Sequence, residues 1–207
     1  MPVDSKHILY DEFLEKWSRA RDVIEGEDRV KEAGERYLPR LDSQDDEEYR
    51  AYVQRSSFFN ATGRTAEGFQ GMVFRRDPVI KLPEKGAPAG DVMARFGEDC
   101  DLFGTSLYLY AKRIAGEILG VGRAGTLVEW HDVEERPFLC LYQAEQIINW
   151  RVERMGGRNV LTLVELRETS DKFEGEDYFE AEAIAQIRVL RLVRNSEGAK
   201  EREGGEE

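Results

Sequence analysis

Two hydrophobic rhythms divide the chain. Up to about residue 123 the apolar positions recur every three or four residues, as on one face of a helix, and from residue 126 they alternate every second residue, as on a strand. Ile8, Leu9, Phe13, Leu14, Trp17, Ala20 and Ile24 share one helical face, and Gly26 follows as a left-handed stop. "EDRVKEAGERYLP" predicts a shorter helix ending before Pro39. In "DSQDDEEYRAYVQRSSFF", Asp45 stands three residues before Glu48. That spacing predicts a capping box, which makes the acidic run from Asp42 to Glu48 a helix start favoured by the macrodipole rather than a metal site.

"NATGRTAEGFQGMVFRRDP" places Thr62, Ala66, Phe69 and Val73 in register up to Pro78, and its small residues predict close helix packing. Residues 79–91, "VIKLPEKGAPAGD", read as a strand-like piece and an exposed loop. In "DLFGTSLYLYAKRIAGEILGVG" the positions Phe103, Leu107, Tyr110, Ala111, Ile114, Ile118 and Leu119 form one long apolar stripe.

The strand rhythm then appears in "TLVEW", "PFLCLY", "INWRVER", "VLTLVELRE" and "IAQIRVLRLVR", with Gly156-Gly157 predicting a hairpin between the third and fourth. No helix of useful length separates these runs, so the expected fold class is α+β, with N-terminal helices packed on a mostly antiparallel C-terminal β-meander. The expected organisation is a helical part, 1–123, and a sheet part, 124–195, forming one compact unit, followed by a disordered acidic tail, 196–207.

Where the rhythm changes stands "GVGRAG", residues 120–125, a letter-for-letter match to the G-x-G-x-x-G dinucleotide loop. That loop needs a strand before it and a helix after it, so that the pyrophosphate meets the amides of a helix N-terminus. Here the order is reversed: a helix ends on the glycines and a strand begins. The glycines therefore read as a helix stop and a turn, with Arg123 at the end of the helix where a cation is favoured.

The formal net charge of −12 is spread along the chain, with 19 basic against 23 acidic residues in 1–123 and 9 against 14 in 124–195. Such a balance disfavours tight gripping of a phosphate backbone by counterion release. No apolar run is long enough for a membrane span, and the N-terminus carries no apolar core of a secretory signal, so a cytosolic setting without membrane association is expected. Cys100 and Cys140 read as buried reduced thiols. They and His7 and His131 show no paired metal-ligand spacing; His131 is expected in the polar turn between the first two strands. "DKFEGEDYFE" lacks three ligands of a calcium loop and reads as a solvated loop. No nucleophile elbow is present, and no catalytic, cofactor-binding or metal-binding residue is assigned.

The blocks "WSRARDVIEGEDRVKEAGERYLPRL", "YRAYVQRSSFFNATGRTAEGFQGMVFRRDPVIKLP", "GVGRAGTLVEW" and "RPFLCLYQAEQIINWRV", in that order over residues 9–194, resemble the N-terminal region of phage portal-like proteins. The resemblance implies a non-enzymatic, ring-forming structural component of a tailed-phage or prophage head. Its partners would be further copies of itself, the capsid, the terminase and head-completion proteins, with DNA passing through the channel without specific binding. The implied location is the virion head, and the host cytoplasm during assembly. A complete portal continues into a stem helix and a clip, so this chain is expected to be a wing-like part. Arg64, Arg75, Arg76, Arg123, Trp150 and Arg151 lie in the matching blocks and are the candidate assembly contacts, since arginine and tryptophan dominate interface hot spots. The alternatives are a nucleotide-binding enzyme using residues 120–125, and a non-portal head-morphogenesis or adaptor module.

Overall fold

The computed structural model describes residues 3–81, 90–173, 181–193 and 202–206. It is an α+β fold, helices first and strands second. The helices are α1 (Tyr10–Glu25), α2 (Glu27–Glu32), α3 (Asp46–Arg55), α4 (Ala61–Val73), α5 (Gly90–Glu98) and α6 (Leu107–Val121). The strands are β1 (Ala124–His131), β2 (Arg136–Gln143), β3 (Ile147–Met155), β4 (Arg158–Phe173), β5 (Ala181–Leu192) and β6 (Arg202–Glu206). All five strands read from the alternation are present. They divide into a two-stranded sheet, β1-β2, and a four-stranded sheet in the order β3-β4-β5-β6, whose pairings are all antiparallel.

The chain forms two compact units. One contains residues 16–141; the other contains residues 1–15 and 142–207. This differs from the expected partition at residue 123 into parts of a single unit. The helix-to-strand change in rhythm marks secondary structure, whereas the contacts that define a unit are long-range, and they draw β1 and β2 in with the helices.

In the unit of residues 16–141, α4 and α5 pack against α6. Trp17, Val30, Cys100 and Tyr110 are buried. Gln70 donates to the Lys112 carbonyl at 2.7 Å, and Phe74 meets Tyr108 edge to face at 5.7 Å. Asp45 caps α3 by accepting from the amides of Glu47 and Glu48, and Glu48 reaches back to the Asp45 amide, which completes the predicted capping box. The small residues of α4 serve unequally. A side chain at Gly63 would stand 2.6 Å from the Ile24 carbonyl oxygen, whereas Gly68 and Gly71 face open space.

The other unit is built on the four-stranded sheet. Its core contains Tyr10, Tyr142, Ala144, Ile147, Ile148 and Leu166. Gly156 and Gly157, both at positive φ, make the two-residue turn between β3 and β4, as a type I′ hairpin requires.

Five expectations are corrected. Phe103 does not extend the α6 stripe: Ser106 caps the helix, and Phe103 lies in the preceding loop, 91% exposed. Asp101 holds that loop by accepting from the amides of Phe103 and Thr105, competing locally with helix formation. Ile8 and Leu9 precede α1, and Ile8 is exposed. Residues 79–81 form no strand among the described residues; the rest of that loop, 82–89, lies outside them, and α5 begins directly after it. Within the expected disordered tail, Arg202–Glu206 pairs with β5, because main-chain hydrogen bonding to a free sheet edge needs no apolar side chains. Of the acidic stretch read as a solvated loop, Asp171–Phe173 instead ends β4, and residues 174–180 lie outside the described residues.

Candidate functional site

Gly122 settles the glycine motif at the level of geometry. It caps α6 in the left-handed region, φ 83° and ψ 0°, and its amide donates to the Ile118 carbonyl at 2.9 Å. The amides expected to cradle a phosphate are thus at the carbonyl end of α6, where the helix dipole disfavours an anion. Arg123 follows with its guanidinium 5.7 Å from the centre of the Trp17 ring, a cation–π contact at the helix end.

The cavity that combines aromatic and charged walls lies in the unit of residues 1–15 and 142–207. It has a volume of about 640 Å³ and is bordered by the N-terminal segment around His7 and by strands β3 and β4. Two irregularities in the β3–β4 ladder shape it. Between Ile147 and Asn149 the register admits one extra residue on β3, and between Arg151 and Val152 one extra on β4. Bulges of this kind bend a strand and re-aim its side chains. Here they bracket Asn149, Trp150 and Arg151, and the first explains how the consecutive residues Ile147 and Ile148 are both buried.

The bulged Ile148 offers its carbonyl to the His7 amide at 3.0 Å, which ties the N-terminal segment to β3. The His7 ring then stacks on Trp150, centroids 3.8 Å apart and planes 14° from parallel. His7 Nδ1 accepts from the Leu9 amide at 3.1 Å, so the neutral ring carries its proton on Nε2. Asn149 is held at both ends: its oxygen accepts from the Trp150 amide at 2.9 Å, and Nδ2 donates to Glu165 Oε2 at 3.1 Å. Glu165 is 7% exposed, and among the described residues its other oxygen, Oε1, takes no hydrogen bond. Lys6, at the rim, pairs with Asp11 at 2.8 Å.

The six candidate contacts do not form one cluster. Arg64, Arg75 and Arg76 are exposed on and just after α4; Arg64 lies 4.9 Å over the Phe59 ring. Arg123 belongs to the same unit but is committed to Trp17. Trp150 and Arg151 belong to the other unit and line the cavity. The sequence reading missed His7, Asn149 and Glu165. A lone histidine, an asparagine and a glutamate in an alternating strand carry no motif, and the bulges that converge them arise from pairing between strands.

Other polar clusters are structural in their geometry. Asp22, buried, accepts from Arg29 and Arg36, both at 3.0 Å, and from the Tyr37 hydroxyl at 2.7 Å. Burial and then the Asp22 hydrogen bond raise the Tyr37 hydroxyl above its usual pKa. Arg136, also buried, donates to the Asp99 carboxylate at 2.7 Å and to the Asp99 carbonyl. Its Nε has no hydrogen-bond partner, with a Glu134 oxygen 3.5 Å away. Burial works to raise the Asp99 carboxyl, but bonds from Arg136 and from the Gly104 amide outweigh it and hold the carboxyl below its usual range. Cys100 and Cys140 form no disulfide; Cys100 is buried as expected, whereas Cys140 is half-buried. His131 ends β1, where its Nδ1 accepts from the Glu134 amide at the turn. Among the described residues no group of three or more His, Cys, Asp or Glu side chains is placed to hold a metal ion, and no helix is long and apolar enough to cross a membrane.

No protein-family model matches the chain, and no curated protein is significantly similar to it.

Proposed function

We propose that the protein is a structural module of a tailed-phage or prophage head, a wing-like part of a ring-forming portal-type subunit, and not an enzyme. The observation that carries this reading is the surface presented by α4 and its flanks. Phe59 is 72% exposed and Met72 63%, with Phe69 and Val73 exposed beside Met72 on the same helix face. Arg64, Arg75 and Arg76, exposed, accompany these apolar side chains. Apolar groups flanked by arginine are what a protein interface uses at its centre and rim.

Apart from Phe59, which directly precedes it, the surface lies in the block "NATGRTAEGFQGMVFRRDP", among the most characteristic parts of the portal resemblance. A ring needs a head-to-tail contact, in which two different surfaces of one subunit complement each other. The exposed acids Asp42, Asp45, Asp46, Glu47 and Glu48 supply a surface of opposite sign to the α4 arginines. The nucleotide-enzyme reading loses its only motif, since Gly122 is a helix C-cap.

The test is light scattering and negative-stain imaging of the protein in its complete natural reading frame over a wide concentration range. Closed rings that fall apart in Met72→Glu support the reading. Monomers at every concentration overturn it.

A further inference from the structure

We infer that the cavity beside the His7–Trp150 stack is a binding site for a guanidinium group, delivered as an arginine side chain of a protein partner. The inference rests on the unit that contains the cavity and is independent of ring formation.

The decisive group is Glu165. Glu165 is largely covered as a residue, yet its unpartnered oxygen is not a fully buried atom, so solvent reaches it and a ligand donor can replace that solvent. Glu165, which lines the cavity, accepts one hydrogen bond, from Asn149 on Oε2, while Oε1 takes none. Asn149 is itself locked by the Trp150 amide, so its bond fixes the carboxylate in place and leaves Oε1 available. The group that best replaces solvent at this oxygen is a donor, and the strongest match to a carboxylate is a cation.

The walls narrow the choice. The His7–Trp150 stack presents aromatic surface beside the carboxylate, and Leu163 and Val152 add apolar surface. A guanidinium is planar, weakly hydrated and stacks on aromatic faces while pairing with a carboxylate; an ammonium is a compact, strongly hydrated charge that does not stack. The aliphatic stem of an arginine suits the apolar walls, and the cavity volume is within the range of small-ligand sites. Of the cavity's own cations, Lys6 is neutralised by Asp11, and Arg151 is exposed, where solvent screens it. The opposite occupant, an anion held by Lys6 and Arg151, would have to approach the Glu165 carboxylate, which disfavours it.

The experiment uses nuclear magnetic resonance on the protein with N-acetyl-arginine amide as probe. Its neutral isostere, N-acetyl-citrulline amide, and inorganic phosphate serve as controls. The arginine probe is expected to shift the Trp150 indole and His7 ring resonances saturably, with the citrulline probe at least about tenfold weaker, the scale of a charge-assisted hydrogen bond. Glu165→Gln, which keeps an oxygen for Asn149, is expected to weaken the arginine probe by about tenfold as well. Equal binding of arginine and citrulline probes, or phosphate shifting these resonances while arginine does not, would overturn the proposal. Comparing the probes on the unaltered protein decides between these outcomes even if Glu165→Gln fails to fold.

Discussion

The amide of Gly122 donates to the carbonyl of Ile118 at 2.9 Å, with Gly122 at φ 83°, and this one bond converts a sequence that matches a nucleotide loop into a helix terminus. Open space surrounds the position at which a side chain would begin, so the demand for glycine is conformational and not steric. Gly122→Val places a β-branched residue in the left-handed region and is expected to destabilise its unit by about 2 kcal/mol. Thermal unfolding measures it. Millimolar NAD or ATP should shift the melting temperature of neither form, and a nucleotide-dependent rise in the unaltered protein alone would return the motif to ligand binding.

The glycines of α4 should separate by what surrounds them. Gly68→Ala enters open space in a helix interior and is expected to stabilise the chain by about 0.5–1 kcal/mol. Gly63→Ala would press against the Ile24 carbonyl and the Asn60 side chain that caps the helix, and is expected to destabilise it. Denaturant titration of the two variants gives opposite displacements of the midpoint.

Asp45→Ala removes the acceptor for two amides at the start of α3 and is expected to cost about 1 kcal/mol. Asp45→Asn retains the capping oxygen and should recover most of that loss. If both variants lose equally, the charge of Asp45 rather than its cap supports the helix.

Cys100 is fully buried, and burial, followed by the nearby Asp101 carboxylate, pushes its thiol up to about 11 from an ordinary 9.0. The folded state therefore holds the proton more tightly than the unfolded chain. This contribution to stability is complete below pH 9 and disappears as the pH climbs toward 11. In a Cys140→Ser background, Cys100 should resist iodoacetamide at pH 8 while the chain is folded, since the thiolate is the nucleophile. Rapid alkylation without unfolding would contradict this. Cys100→Ala should flatten the fall in thermal midpoint between pH 9 and 11.

At the acid end the sign reverses. Asp99, whose carboxyl the Arg136 and Gly104 bonds hold low against burial, contributes stability above its ordinary pKa, and that contribution is lost as the pH falls through the lower folded value. Asp99→Asn should remove part of the acid-side slope of the melting temperature, and an unchanged slope would dissociate Asp99 from acid unfolding.

The portions legible in the sequence are those governed by neighbours along the chain. The five alternating strands, the Asp45–Glu48 capping box, the Gly156-Gly157 turn and the end of α6 at Gly122 each follow from local backbone preference or side-chain periodicity. Periodicity misled where local chemistry competed with it: Phe103 is in register with α6, yet the Asp101 bonds and the Ser106 cap start the helix beyond it.

What tertiary structure decided is where distant residues meet. The sheets separate between β2 and β3, and residues 1–15 join the four-stranded unit, because unit boundaries follow long-range contacts that no periodicity encodes. The candidate site shows the same limit. Trp150 and Arg151 are readable as an aromatic–cation pair, but His7 reaches Trp150 from 143 positions away along the chain, and Glu165 reaches Asn149 across a hairpin. Sequence determined the strands that carry these groups; the bulges and the pairing across the sheet edge decided that a stacked ring pair and an under-partnered carboxylate share one cavity.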